Sequence, residues 1–262
     1  MGTAQVQGEL WGAKADDWAD IQEPTWRPIY ETVFAELRLR PGTKLLDIGC
    51  GAGGALLIAR ELGADVAGLD AAETLVERAR QRLAEARIER GEMEALPFAN
   101  ESFDAATSFN AFQFAGNVSA ALGEARRVLK RGGQLAMVVW GRREHCDLAG
   151  KILPPVLALL PAPPPGAPAP FAYAEPGVIE GLIEQAGLSP QTSGEFDSAF
   201  SYPDGNIAWR AISSAGILVR ATRLAGEDKV QSAITESLKP FTRADGSVVI
   251  SNRFRWVIAT RS

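Results

Sequence analysis

The densest concentration of potential chemistry in the chain is Asp47-Ile48-Gly49-Cys50-Gly51-Ala52-Gly53-Gly54. Glycines there let the backbone turn sharply and come close to a ligand, and a helix opening after them offers free N–H groups. Gly49, Gly51 and Gly54 satisfy G-x-G-x-x-G, the spacing used for dinucleotides. Asp70, at the end of the next apolar run, is placed to accept hydrogen bonds from ribose hydroxyls. On these residues alone, NAD and S-adenosylmethionine are both admissible.

Such a loop needs a buried strand before it and a helix after it. Lys44–Ile48 is a short apolar run bounded by Pro41-Gly42 and Gly49, the signature of a strand covered on both faces. Leu56, Leu57, Ala59 and Leu62 follow at helical spacing, stopped by Gly63. Asp65–Leu69 reads as a second strand, Leu75 to Leu83 as a second helix, Ile88–Arg90 as a short third strand and Asp104–Phe109 as a fourth. Asn117 is the predicted cap of a helix through Val118, Ala121, Leu122, Ala125, Val128 and Leu129, closed by Gly132-Gly133 before a fifth strand, Gln134–Trp140. Regular alternation of strand and helix predicts parallel βαβ units. Upstream, Ile29 to Leu37 has helical spacing. Downstream, Leu153–Pro170 holds eight prolines, which excludes helix or central strand. A helix ends at Gly187, residues 206–240 are helix-rich, and Ser247–Thr260 carries strand signals around a turn.

Three features separate the two cofactors. Asp47, two residues before the first glycine, would repel a pyrophosphate but suits the cationic amino-acid end of S-adenosylmethionine. Glu92, beside Met93, is placed to accept from an adenine amino group. None of the three tyrosines has lysine at i+4, so the base pair of short-chain reductases is missing.

Leu45–Gly53 (LLDIGCGAG), the acid Asp70, Gly91–Phe98 (GEMEALPF), Glu101–Ser108 (ESFDAATS) and Val128–Leu135 (VLKRGGQL) together resemble class I S-adenosylmethionine-dependent methyltransferases. The closest likeness is to the ubiquinone- and menaquinone-biosynthesis branch, and it covers roughly residues 40–141. The resemblance implies an α/β, Rossmann-like fold with a seven-stranded, mostly parallel sheet in the order 3-2-1-4-5-7-6. One strand of it is antiparallel, and Phe254–Ala259 is similar to the family's last strand. It also implies cofactor contacts from Asp47, Gly49, Cys50, Gly51, Asp70, Ala71, Glu92, Met93, Glu94, Phe109 and Asn110, with S-adenosylhomocysteine as product. The family usually has Asp-Ala where this chain has Glu92-Met93. The expected organisation is a helical cap over 1–40 and a methyltransferase domain over 41–262, with insertions at 146–175 and 205–240.

Methyl transfer from a sulfonium needs orientation and exclusion of water, and a base only where the acceptor keeps its proton. His145, the single histidine, lies just past the fifth strand and is the candidate base. Cys50 fits better as a small loop residue than as a nucleophile. Trp18, Trp26, Tyr30 and Gln113 are the candidate substrate contacts. Asn110-Ala111-Phe112-Gln113 replaces the Asn-Pro-Pro-aromatic motif of amide and nucleobase N-methyltransferases, which disfavours those acceptors.

The chain's 262 residues carry a formal net charge of −5, which argues against a nucleic-acid backbone as partner. The basic residues Arg126, Arg127, Lys130 and Arg131 gather at one helix end, where they complement its dipole. Two distant cysteines and one histidine are too few for a zinc site, and neither a signal peptide nor a membrane-length apolar run is evident. The expectation is a cytoplasmic enzyme methylating a small hydrophobic or aromatic metabolite at oxygen or carbon, without metal. The alternative is a protein of the same fold that binds S-adenosylmethionine but catalyses something else, or nothing.

Overall fold

In the computed structural model, which describes residues 2–161 and 171–262, seven strands form one sheet in the order β3-β2-β1-β4-β5-β7-β6. They are β1 (Lys44–Ile48), β2 (Asp65–Asp70), β3 (Arg87–Arg90), β4 (Phe103–Phe109), β5 (Leu129–Trp140), β6 (Leu188–Tyr202) and β7 (Val248–Arg261). β1 to β5 are parallel, and β7 runs antiparallel between β5 and β6. The expected sheet order is the observed one.

The helices are α1 (Ala4–Trp11), α2 (Ala15–Asp17), α3 (Arg27–Glu36), α4 (Gly54–Glu61), α5 (Glu73–Arg82), α6 (Val118–Val128), α7 (Pro154–Leu157), α8 (Val178–Gln185), α9 (Gly205–Ser213), α10 (Gly216–Ala225) and α11 (Glu227–Leu238). Side chains alternate across a strand, and the sheet uses both faces. Leu45 packs in one layer with Phe34 and Leu56, and its neighbour Leu46 in the other with Leu122 and Ile183. Each of these side chains is fully or almost fully buried, contributing about 2 kcal/mol apiece.

The order reverses between β1 and β4, so the chain leaves these adjacent strands toward opposite faces. That divergence opens a crevice beyond their carboxyl ends, and the glycine-rich loop and Asn110–Gln113 both stand there.

Asn117 caps α6 as expected, its Oδ1 accepting from Ala120 N at 3.1 Å. Other boundaries differ. α6 stops at Val128, and Gly132-Gly133 belong to β5, next to a shift in its pairing with β4. A side chain at Gly133 would stand 2.9 Å from the Lys130 carbonyl and 3.1 Å from that of Asp104, so the glycine serves strand packing, not a helix stop. Ser247–Thr260 holds no turn, because β7 is one continuous strand. Its partner β6 is a half-exposed edge strand without an apolar run, which hid it. Pro154 and Pro155 open α7, where a missing N–H costs nothing. The remaining proline-rich residues, 162–170, lie outside the described residues.

Candidate active site

A cavity of about 500 Å³ fills the crevice and continues under α1, α7 and α10. Its floor is the glycine-rich loop. Gly49 has φ +82°, a left-handed conformation, and a Cβ there would stand 2.3 Å from the Ala111 Cβ. Gly51, at φ +54°, keeps room for the indole of Trp18 and the carboxylate of Glu23 above it.

The loop's N–H groups are already committed. Gly49 N and Cys50 N donate to the Leu69 carbonyl at 2.8 and 3.0 Å, and Gly53 N to the Cys50 carbonyl at 2.9 Å. Gly51 N donates to Asp70 Oδ2, and Ala52 N to Glu23 Oε1, both at 2.9 Å. The loop thus faces the cavity with few free donors and three carboxylates. Asp47 is 2 % exposed and accepts from Thr107 Oγ1 at 2.8 Å, and Glu23 is 3 % exposed and paired with Arg82 at 2.7 Å. The third, Asp70, also receives Ala72 N at 2.9 Å.

Burial pushes the Asp47 carboxyl up to about 7 against the Thr107 hydrogen bond, and pushes Glu23 to about 7 against Arg82. Asp70 is raised for the same reason, its backbone donors opposing. A cation entering here would relieve all three, whereas a pyrophosphate would meet like charge and spent donors.

Of the residues expected around the cofactor, Asp47, Gly49, Cys50, Gly51, Asp70, Ala71, Glu92, Met93, Phe109 and Asn110 line the cavity, as do Trp18, Trp26, Tyr30 and Gln113. Two candidates fall outside. Glu94 stands behind Glu92, off the cavity lining, and its Oε1 accepts from Asn117 N at 3.1 Å, tying its loop to the start of α6. His145 sits exposed on a single 3₁₀ turn, Arg143–His145, off the cavity lining. It therefore has no geometry for the base assigned to it: past β5 the chain runs against β7, Gly141 N donating to the Arg253 carbonyl at 2.7 Å.

Glu23, Gln22 and the start of α1 also line the cavity and escaped the sequence reading. Gln22 and Glu23 come from a stretch of short 3₁₀ and π turns over Gly12–Trp26, where no helical period marks a buried face. α1 lies directly on the cofactor side. A Cβ at Gly8 would stand 2.4 Å from the Ala71 carbonyl, and Ala4 N donates to Glu92 Oε1 at 2.7 Å. Trp11 meets Trp18 edge-on at 4.9 Å, and Tyr30 meets Phe109 at 4.7 Å. Three polar atoms of lining residues, Trp18 Nε1, Trp26 Nε1 and Asn110 Oδ1, are buried without a partner among the described residues. Asn110 also has φ +58°, a conformation asparagine tolerates better than most residues.

Residues 46–137 match the family described as "Methyltransferase domain". An uncharacterized protein of Mycobacterium tuberculosis is 30% identical over 184 residues, 69% of this chain and 65% of that protein. The chain thus spans just under two thirds of the curated relatives it matches over the greatest length. A 24-methylenesterol C-methyltransferase of Oryza sativa is 37% identical over 117 residues, 42% of this chain and 32% of that protein. Among solved structures, the YcgJ protein of Bacillus subtilis superposes with a TM-score of 0.58 at 20% identity, over 88% of this chain and 97% of that one.

Proposed function

We propose that the chain transfers a methyl group from S-adenosylmethionine to a small apolar or aromatic acceptor, at oxygen or carbon. The observation that carries this reading is the trio Glu23, Asp47 and Asp70 around a glycine loop whose N–H groups are internally bonded. This is a receptor for a cation beside a ribose, and it suits a sulfonium far better than a dinucleotide.

In this reading Gly49, Cys50 and Gly51 run along the methionine and ribose, and Asp70 takes the ribose hydroxyls with its remaining lone pairs. Ala71, Glu92 and Met93 hold the adenine, and Phe109 and Asn110 wall the reacting end. Trp18 Nε1, 3.2 Å from where a Gly51 Cβ would stand, is left to donate to the ligand. The bound cofactor supplies an electrophilic methyl group, and the protein contributes orientation and dryness. Burial and the nearby Glu23 and Asp47 raise the Tyr30 phenol well above its usual range, so it stays protonated and positions without acting as a base. The Cys50 thiol is held up likewise and is no nucleophile. The acidic chain and the enclosed, largely apolar acceptor chamber support a small molecule over nucleic acid. The rice relative's C-methylation of a sterol fits a bulky apolar acceptor.

A calorimetric titration with S-adenosylmethionine, S-adenosylhomocysteine and NADH tests the reading. Micromolar binding of both adenosyl ligands without NADH binding supports it, and binding of NADH alone sinks it. A second reading, cofactor binding without methyl transfer, is favoured by one observation. The described lining includes no histidine, and its thiol and the phenols of Tyr30 and Tyr173 are held protonated. A product heavier by one methyl group rules that reading out.

A further inference from the structure

Beyond the glycine loop the cavity changes character. Trp26, Trp140, Leu153, Leu157, Ile217 and Leu218 present an aromatic and aliphatic wall with no carboxylate among them. One cation belongs to the described lining, Arg220 of α10, and it stands on this wall. It is exposed and forms no ion pair or hydrogen bond with any described residue. Its neighbour on the helix, Arg223, differs, with its guanidinium donating to the Glu9 carbonyl at 3.3 Å and no place in the lining. Some surface arginines are paired, Arg210 with Asp17 and Arg253 with Asp197 among them. Others such as Arg38, Arg60 and Arg131 have no ion-pair partner among the described residues, but none of these belongs to the cavity lining. Arg220 is therefore a fork of donors at an apolar chamber with nothing of the protein's own to hold.

We propose that the acceptor is an amphipathic anion, an apolar body bearing one carboxylate or phosphate group, and that Arg220 binds that group. The inference rests on the cofactor assignment above. Charge then fixes the acceptor's direction. The anionic group cannot sit by Glu23, Asp47 and Asp70 and is drawn to Arg220, so the end presented to the glycine loop is the uncharged one. The acid group is consequently the handle and not the methylated position. Arg220 is a positioning residue in this arrangement.

The test uses the full chain loaded with S-adenosylhomocysteine and two probes of one shape, 2-naphthoate and the neutral 2-naphthalenemethanol. The parent is expected to prefer the naphthoate by about fivefold at low salt, the range for a partly exposed ion pair. High salt should erase that preference. Arg220→Gln should remove it while leaving the alcohol and S-adenosylhomocysteine affinities unchanged, and Arg220→Lys should restore part of it. Equal binding of the two probes by the parent, or a preference that survives in Arg220→Gln, overturns the proposal while S-adenosylhomocysteine still binds. Failure of the parent to bind S-adenosylhomocysteine overturns the cofactor reading, and this proposal with it.

Discussion

The two halves of the cavity are built from different materials. Around the glycine loop the contacts are backbone atoms and carboxylates delivered by the ends of β1 and β2 and by the turn before α3, each locked by hydrogen bonds of 2.8 to 3.0 Å. On the opposite wall they are mostly side chains of α7 and α10, joined by Trp26 and by Trp140 at the end of β5, and apolar except for Arg220. The first half cannot be altered without disturbing the sheet that positions it. The second can be re-sequenced one side chain at a time. Recognition of the cofactor is thus written into the chain's path, and choice of acceptor into its decoration.

That contrast can be broken most severely at Gly49. Gly49→Val puts a branched side chain into a left-handed turn and against Ala111. S-adenosylhomocysteine affinity should fall by about 100-fold or more, measured by calorimetry, with naphthoate affinity changed by less than about threefold. Comparable losses for both ligands would show that the halves are one unit.

Next in size is Arg82→Ala, which strips Glu23 of its buried partner. The expected cost is about 2 kcal/mol in denaturant unfolding above neutral pH, reduced from the fully buried case by the partial exposure of Arg82. The sign follows from Glu23, whose carboxyl already titrates near 7 in the folded protein, above its unfolded value. Folding favours the protonated acid, so the variant's deficit should shrink as pH falls through about 7. A deficit independent of pH would remove Glu23 from the account.

A smaller effect sharpens the charge argument. Asp47 titrates near 7 and ionises more readily beside a cation. The preference for S-adenosylmethionine over its uncharged-sulfur product should grow about fivefold from about pH 6 to about pH 8. Asp47→Asn should flatten the profile, as read by paired titrations. The smallest effect belongs to His145, on neither wall. Once an acceptor is found, His145→Ala should leave turnover within about twofold, and a larger loss in a steady-state assay would bring the histidine back into the site.

The strand–loop–helix unit from Lys44 to Glu61 was legible because short-range physics dictates it: an apolar run, a break of glycines, then a period of 3.6. Asp47 and Asp70 were legible as strand-end acids. Glu23 was not, because it reaches the loop from a segment of mixed short turns 29 residues upstream of Ala52. Glu92 and Glu94 are neighbours in one turn, and sequence gives no means of telling that the first faces the cavity and the second braces α6. For His145 the position after β5 was readable, but its direction was set by the return of the chain over β7. β6 pairs with β7 through fourteen registered residues yet stands half in water, so its hydrophobic alternation is faint.

Of all the helices, α1 is the one whose seat on the cofactor side has a temporal meaning. None of its eight residues is buried, and contacts such as Ala4 N to Glu92 and Thr3 Oγ1 to the Phe114 carbonyl hold its start. Such an element opens at low cost, well before the sheet does. The same helix lies against Ala71 and Glu92, so a molecule seated there as proposed would be uncovered when α1 lifts. The opening of those eight residues would then set how long such a molecule stays, and the depth of the crevice how tightly it sits.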